Sequence, residues 1–205
     1  MFARELEAVL AVGRLEAAKS GALPAPSLSP AGLLEYRQVP RLVLPSPNGS
    51  TIAAALGEVG STVVAGCLRN ASAVAQWLGA GLDHGESMAV IAAGERWDHG
   101  DSLRPALEDQ LGAGAILSAL AQRGDRQSMS PEASAALDLF DAVRESLPER
   151  VRECVSAREL AAKGFDSDVD VALALNASST VPVLSEGSFG LPGDHGDAVE
   201  PTSSA

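Results

Sequence analysis

Three short aliphatic runs, Arg41 to Leu44, Thr62 to Cys67 and Met88 to Ala93, alternate with Ala-rich segments of helical composition, and this alternation constrains the fold more than any other feature. The second and third runs are apolar without a period of two, as strands covered on both faces are. Strand, helix, strand, helix, strand in succession requires crossover connections, so the runs are expected to pair in parallel through right-handed crossovers. Aromatic residues make up only 3% of the chain, which leaves Ala, Val, Leu and Ile to build the core and favours helices packed closely on a sheet. The expected class is α/β, a three-layer α/β/α arrangement with a mostly parallel sheet.

Ligands of such sheets bind beyond the carboxyl ends of the strands, where successive loops converge. The first junction, Pro45-Ser46-Pro47-Asn48-Gly49-Ser50-Thr51, reads as strand, tight loop and helix start. The first N–H groups of a helix lack internal partners and carry the positive end of its dipole, and glycine lets the main chain come close, so Asn48, Gly49, Ser50 and Thr51 suit an anion. Asn48 or Ser50 is equally suited to be a plain N-cap. The second junction supplies Arg69 and Asn70, with Asn70 also placed to cap the helix beginning at Ala71, and the third supplies Glu95 and Arg96. Glu108 and Asp109 follow in the next helix, where adjacency leaves one of the pair as an ordinary surface acid. Glu95 with Glu108 or Asp109 matches what Mg²⁺ takes, one or two carboxylates plus waters and a substrate phosphate.

Other classes are excluded by charge and composition. The formal charge is −12, and Arg outnumbers Lys thirteen to two without forming the basic stripe a nucleic-acid surface needs. Arginine in that excess is suited to holding small anions bidentately. Cys67 and Cys154 lie far apart with no CxxC, which points to a reduced, cytoplasmic protein without structural zinc. No run approaches the roughly 18 apolar residues of a membrane span, and the charged start is not a signal peptide.

In chain order, Phe2, Leu6, Val9 and Leu10 recur at helical spacing and predict an opening amphipathic helix. Prolines 24, 26, 30 and 40 mark an irregular connection, with Ser29-Pro30 starting a helical turn. Leu103 to Leu120 is helical, and Gly112-Ala113-Gly114 within it implies a close neighbour or a break, because glycine costs about 1 kcal/mol in a helix interior. Ser130-Pro131 and Pro148 start two further helices, Ser156 to Glu159 reads as a capping box for a third, and Asp166 to Leu175 forms a last one with its acids near the N-terminus. The spacing of Asp166, Asp168 and Asp170 fits neither an aspartyl phosphatase motif nor an EF-hand, since the sixth loop position is Val171 and the twelfth Ala177. Thr180 to Leu184 is an edge strand because of Pro182. His84, His99 and His195 read as surface residues, His99 standing near Glu95. One domain over 1–189 and an acidic disordered tail over 190–205 are expected.

The segments Leu44 to Thr51, Gly66-Cys67-Leu68-Arg69-Asn70-Ala71, Ala93-Gly94-Glu95-Arg96-Trp97 and Leu103 to Gly114, taken in order and spacing, resemble the 2-phosphosulfolactate phosphatases. The resemblance runs from about Val43 to Leu184. It implies the three-layer fold and Mg²⁺-dependent hydrolysis of the phosphate ester of sulfolactate, a step in coenzyme M biosynthesis. With the junction reading above, the expected catalytic residues are Glu95, Asp109 and Arg69, the expected substrate-binding residues Asn48, Gly49, Ser50, Thr51, Asn70 and Arg96, and the expected metal ligands Glu95, Glu108 and Asp109. The partner is a small anionic phosphoester, with no nucleic acid or membrane and with a homo-oligomer compatible with the pattern. Members of the family open with a strand and an Asp-Val-Leu motif that this chain lacks, so the domain is expected to be N-terminally incomplete. The alternatives are a non-catalytic anion-binding remnant of the fold, or a phosphatase of another small phosphoester.

Overall fold

The computed structural model describes residues 2–19, 26–36, 41–46, 48–97 and 102–192. Helix α1 (Phe2–Glu5) stops before Glu7, whose φ of 50° turns the chain into strand β1 (Val9–Leu10). The amphipathic helix expected through Leu10 is therefore corrected. Val9 N–H donates to the Arg41 carbonyl at 3.0 Å and Ala11 N–H to Val43 at 2.9 Å, pairing β1 in parallel with β2 (Leu42–Val43). Helical spacing of four apolar residues loses here to a tertiary partner that a β-branched residue fits well.

On its other side β1 continues into a parallel bridge between Val12 and Ser27, with Val12 N–H on Pro26 and Leu28 N–H on Val12, both at 2.9 Å. Three segments thus run side by side and open at one carboxyl edge. Helix α2 (Arg14–Lys19) follows β1 and helix α3 (Pro30–Glu35) follows the bridge. α3 starts at the Ser29-Pro30 signal: Pro30 occupies the first turn, and the Ser29 hydroxyl accepts from Gly32 N–H at 3.1 Å.

Beyond β2 come α4 (Gly49–Glu58), a turn of 3-10 helix over Leu68–Asn70, and α5 (Ala71–Asp83). Strand β3 (Glu95–Arg96) pairs antiparallel with β4 (Leu103–Arg104), in the register Glu95 to Arg104. Leu103, expected to open a helix, is thus in a strand. The rest is α6 (Leu107–Ala121), α7 (Pro131–Val143), α8 (Leu147–Arg152), α9 (Val155–Ala162), α10 (Asp166–Leu173) and the hairpin β5 (Val183–Ser185) to β6 (Ser188–Gly190). The hairpin extends past the expected edge strand and reaches Gly190, the first residue of the expected tail. Residues 193–205, which include His195, lie outside the described residues.

The core is centred on α6. Leu111, Ala115, Ile116, Leu117 and Leu120 are all buried, so this helix is apolar on nearly every side and is packed between α5 and α7. Leu137 and Phe140 from α7, Val74 and Ala75 from α5, and Leu147, Val151 and Val169 from the later helices complete it. Trp77 is half-buried against this cluster, as expected of a packing residue.

The glycines inside α6 mark a close neighbour rather than a break. A Cβ on Gly114 would lie 2.4 Å from the Ala136 carbonyl oxygen and 2.7 Å from the Phe140 Cβ, so α7 rests directly on the α6 backbone. Gly114→Ala is expected to cost about 1–3 kcal/mol by overpacking. Gly112→Ala, whose new methyl would be 3.9 Å from Leu68 N, is expected to be neutral or to stabilise through helix propensity. Urea denaturation midpoints of the two variants test the contrast, and equal midpoints would contradict this packing.

Two expected strands differ from their reading. Thr62 to Cys67 is extended, but Val64 bridges Val183 in antiparallel sense, with Ala65 N–H on Pro182 and Leu184 N–H on Val63, both at 2.9 Å. An unbroken apolar run specifies burial but not the direction of its partner. Met88 to Ala93 belongs to no ladder among the described residues, and Ile91 is 52% exposed. The described residues thus show an α/β fold with one parallel pair and two antiparallel pairs.

Candidate active site at the carboxyl edge

Asn48 sits where β2 hands over to α4. It is the N-cap residue by position, yet its side chain makes no capping bond to the helix. Instead the buried amide donates from Nδ2 to the Gly94 carbonyl at 3.0 Å and to Glu95 Oε1 at 3.1 Å, and Oδ1 accepts from Arg96 Nε at 3.1 Å. Glu95 Oε1 also accepts from the Arg96 backbone N–H at 2.9 Å. The first and third junctions are therefore stitched together by one amide, and Glu95 and Arg96 are oriented as a pair of opposite charge.

Gly94 is the pivot. Its φ of +72° is one glycine adopts at little cost, and a Cβ there would lie 3.2 Å from the Arg104 carbonyl oxygen. This conformation turns its carbonyl to Asn48 and its N–H to the Asp109 carboxylate. Asp109, in the first turn of α6, is thereby brought to the same place. Burial holds its carboxyl above the ordinary aspartate range, the charge of Glu108 adds to this, the Gly94 N–H opposes it, and the charge of Glu95 raises it further. Two neighbouring carboxylates thus make this spot unfavourable for a third negative charge and favourable for a cation.

The other expected residues are placed differently. Glu108 accepts from Cys154 Sγ at 3.3 Å, while its charge reaches Asp109. Burial is the main cause that pushes the Cys154 thiol up, and Cys154 serves as N-cap of α9, accepting from Ala157 N–H. The capping box expected at Ser156 and Glu159 is corrected accordingly: both side chains instead hold the buried Arg104, Ser156 Oγ at 3.3 Å and Glu159 Oε2 at 3.2 Å. Arg104 also lies 5.8 Å from the Trp97 ring centroid. Gly49, Ser50 and Thr51 are exposed at the start of α4, where the Ser50 hydroxyl donates to the Ser46 carbonyl.

Arg69 donates from Nη1 to the Val171 carbonyl of α10 at 2.7 Å. Asn70 is buried and its amide works inside the fold: Oδ1 accepts from Cys67 N–H at 2.8 Å, and Nδ2 donates to the Ala65 and Thr180 carbonyls at 3.2 and 2.9 Å. It does not cap α5. That role falls to Asn176, whose Oδ1 accepts from Ser72 N–H at 2.8 Å. His99 lies outside the described residues. Among the described residues no three acidic, histidine or cysteine side chains gather as a metal-binding group.

A second charged cluster was not anticipated. Asp168 on α10 is buried and accepts from Arg14 Nε at 2.6 Å, from the Ser29 hydroxyl, and from Ala31 N–H at 3.2 Å. Arg14 follows β1 and Ser29 follows the strand segment beside it, so both reach the carboxyl edge at which Asn48 stands. Its partners lie 154, 139 and 137 residues away in sequence, so no local pattern announced the cluster. Reading Val9 and Leu10 as helix concealed where Arg14 emerges.

Fold and cluster together define an α/β protein with a carboxylate and arginine site at a strand-to-helix junction. The sequence matches the family described as 2-phosphosulpholactate phosphatase over residues 27–187, and the chain belongs to that family. Proteins named probable 2-phosphosulfolactate phosphatase from Thermotoga maritima and Thermotoga petrophila are each 28% identical over 160 residues. These alignments cover 76% of this chain and 63% of each relative, so the chain spans less than two thirds of the length of the curated relatives it matches. No helix among the described residues is long and apolar enough to cross a membrane.

Proposed function

We propose that this chain carries the phosphate-ester site of a 2-phosphosulfolactate phosphatase, hydrolysing the ester to sulfolactate and inorganic phosphate with Mg²⁺, in the route to coenzyme M. The observation that carries the reading is the convergence of Asn48, Gly94, Glu95, Arg96 and Asp109, from three separate segments, into one bonded cluster. Family membership supports this substrate, which also appears in the names of the two Thermotoga relatives.

The donor set fits Mg²⁺. Asp109 and Glu95 offer hard oxygen ligands, and a bound dication would offset the burial that chiefly raises the Asp109 carboxyl and the repulsion from Glu108 and Glu95 that adds to it. Asp109 and Glu95 would hold the ion, with Glu108 beside them, and when bound it supplies neutralisation of phosphoryl oxygen charge. The chain's own residues do the rest. Arg96, held at Nε by Asn48, would add positive charge beside an anion, and Asn48 holds Glu95 through Oε1. The exposed start of α4 at Gly49, Ser50 and Thr51 would offer backbone N–H groups and the positive end of a helix dipole to the phosphate. Water attacks phosphorus as the bond to the sulfolactate oxygen breaks, one water proton ends on that leaving oxygen and the other stays on the released phosphate, and charge developing on the oxygens meets groups already in place.

Phosphate release from 2-phosphosulfolactate, measured with and without Mg²⁺, tests this. The expected result is Mg²⁺-dependent turnover that Glu95→Gln lowers by about a hundredfold or more, the scale on which preorganised electrostatic groups act. Wild-type binding of the ester without turnover would replace catalysis by anion binding alone.

A further inference from the structure

The cluster around Asp168 fixes an arginine by one of its three guanidinium nitrogens. Asp168 has a side chain 1% exposed and takes three donors, from Arg14, Ser29 and the Ala31 backbone. Arg14 meets it through Nε alone, with a side chain 30% exposed and its guanidinium carbon 5.9 Å from the Phe165 ring centroid. Among the described residues neither Nη atom of Arg14 has a hydrogen-bond partner. A guanidinium fixed at Nε and backed by an aromatic ring keeps its terminal fork oriented, which suits bidentate capture of an oxyanion. A purely structural ion pair would gain more from the two-point geometry that Arg and Asp can adopt.

Position supports the same reading. β1 and β2 are parallel in the register Val9 to Leu42, so Arg14, four residues past β1, and Asn48, five past β2, leave the sheet at one edge. Ser29 leaves from the segment bridged to Val12 on the other flank of β1. The Glu95 and Asp109 carboxylates stand on the β2 flank, and Arg14, paired through Nε with Asp168, stands at the end of β1.

We infer that Arg14, held by Asp168, is a substrate-binding residue for a second, non-reacting oxyanion, and on the function proposed above this is the sulfonate of the ester. A sulfonate is a permanent anion that undergoes no reaction here, so an arginine fork is sufficient to bind and orient it, whereas the reacting phosphate needs the cation that the carboxylates would hold. The inference rests on that function for the identity of the anion, but not for the existence of the site.

Calorimetric titration with inorganic sulfate tests the site, and hydrolysis of 2-phosphosulfolactate tests its use. Arg14→Lys keeps the charge and removes the fork, and the double variant Arg14→Gln/Asp168→Asn removes both charges so that no uncompensated carboxylate stays buried. Both are expected to weaken sulfate at least tenfold while remaining folded by circular dichroism. Arg126→Gln, which removes an equal charge from an exposed pair with Asp138, is expected to change sulfate affinity less than twofold. In hydrolysis, Arg14→Lys is expected to raise KM for the sulfonated ester at least tenfold and leave KM for 2-phospholactate, which lacks the sulfonate, within twofold. Sulfate affinity equal in wild type and both variants overturns the assignment even if hydrolysis proceeds. Sulfate binding lost in the variants, with no hydrolysis by the wild type, sustains the anion site and overturns the proposed reaction instead. Equal KM losses on both esters overturn the sulfonate assignment.

Discussion

Asp109→Asn is expected to abolish Mg²⁺-dependent phosphatase activity, by about a hundredfold or more, and at the same time to raise the melting midpoint of the metal-free chain at neutral pH. The two effects share a cause. Burial and the charges of Glu108 and Glu95 raise the Asp109 carboxyl above its ordinary 3.8, so the folded chain favours the protonated form. A raised carboxyl contributes stability that is present below the unfolded value and is lost as pH rises through the folded one. The fold therefore disfavours the ionised carboxylate more than the unfolded chain does, and the amide, which keeps an acceptor for Gly94 N–H, removes that burden. The gap between the variant and wild type should widen from about pH 4 upward. Mg²⁺ should close or reverse it, because a ligand that binds only the folded wild type stabilises it by mass action. Midpoints across pH, with and without Mg²⁺, check this. A destabilised variant at pH 7, or one that still responds to Mg²⁺ as wild type does, would remove Asp109 from the site.

The junctions were legible because their chemistry is local. Proline and Asn-Gly stop a strand and begin a helix whatever surrounds them, so Asn48 at the start of α4 and Glu95 with Arg96 after the third run could be placed from sequence, and the structure joins them. Strand partners were not legible, because pairing direction depends on segments far away in sequence. The Thr62 to Cys67 run pairs with Val183, and Val9-Leu10 with Leu42-Val43, neither of which a local period encodes. The same limit explains the capping errors. Ser156 and Glu159 have a capping-box spacing, but a buried arginine from another segment claims both, and the cap passes to Cys154. Asn70 is drawn inward by two carbonyls and a backbone N–H, and Asn176, more than a hundred residues on, reaches Ser72 in its place. Asp168 was least legible of all: its partners lie 154, 139 and 137 residues away.

That remote cluster also carries the largest stability effect we expect. In Arg14→Ala the Asp168 carboxylate stays where the side chain is 1% exposed, with only the Ser29 hydroxyl and Ala31 N–H to answer its charge. Removing one partner of a buried pair typically costs about 3–5 kcal/mol, on the order of 10 °C in midpoint for a chain of this size. The reverse deletion is asymmetric. Asp168→Asn retains an acceptor for Ser29 or Ala31, and the released Arg14, already 30% exposed, can turn its charge to water, so about 1–3 kcal/mol is expected. The double variant Arg14→Gln/Asp168→Asn should then cost less than the sum of its singles, since the uncompensated charge is gone. Thermal or urea midpoints for this cycle, with Arg126→Ala as the exposed-pair reference at well under 1 kcal/mol, decide the matter. If Arg14→Ala costs no more than that reference, the pair does not bind the end of β1 to α10, and the fixed geometry inferred for the Arg14 fork falls with it.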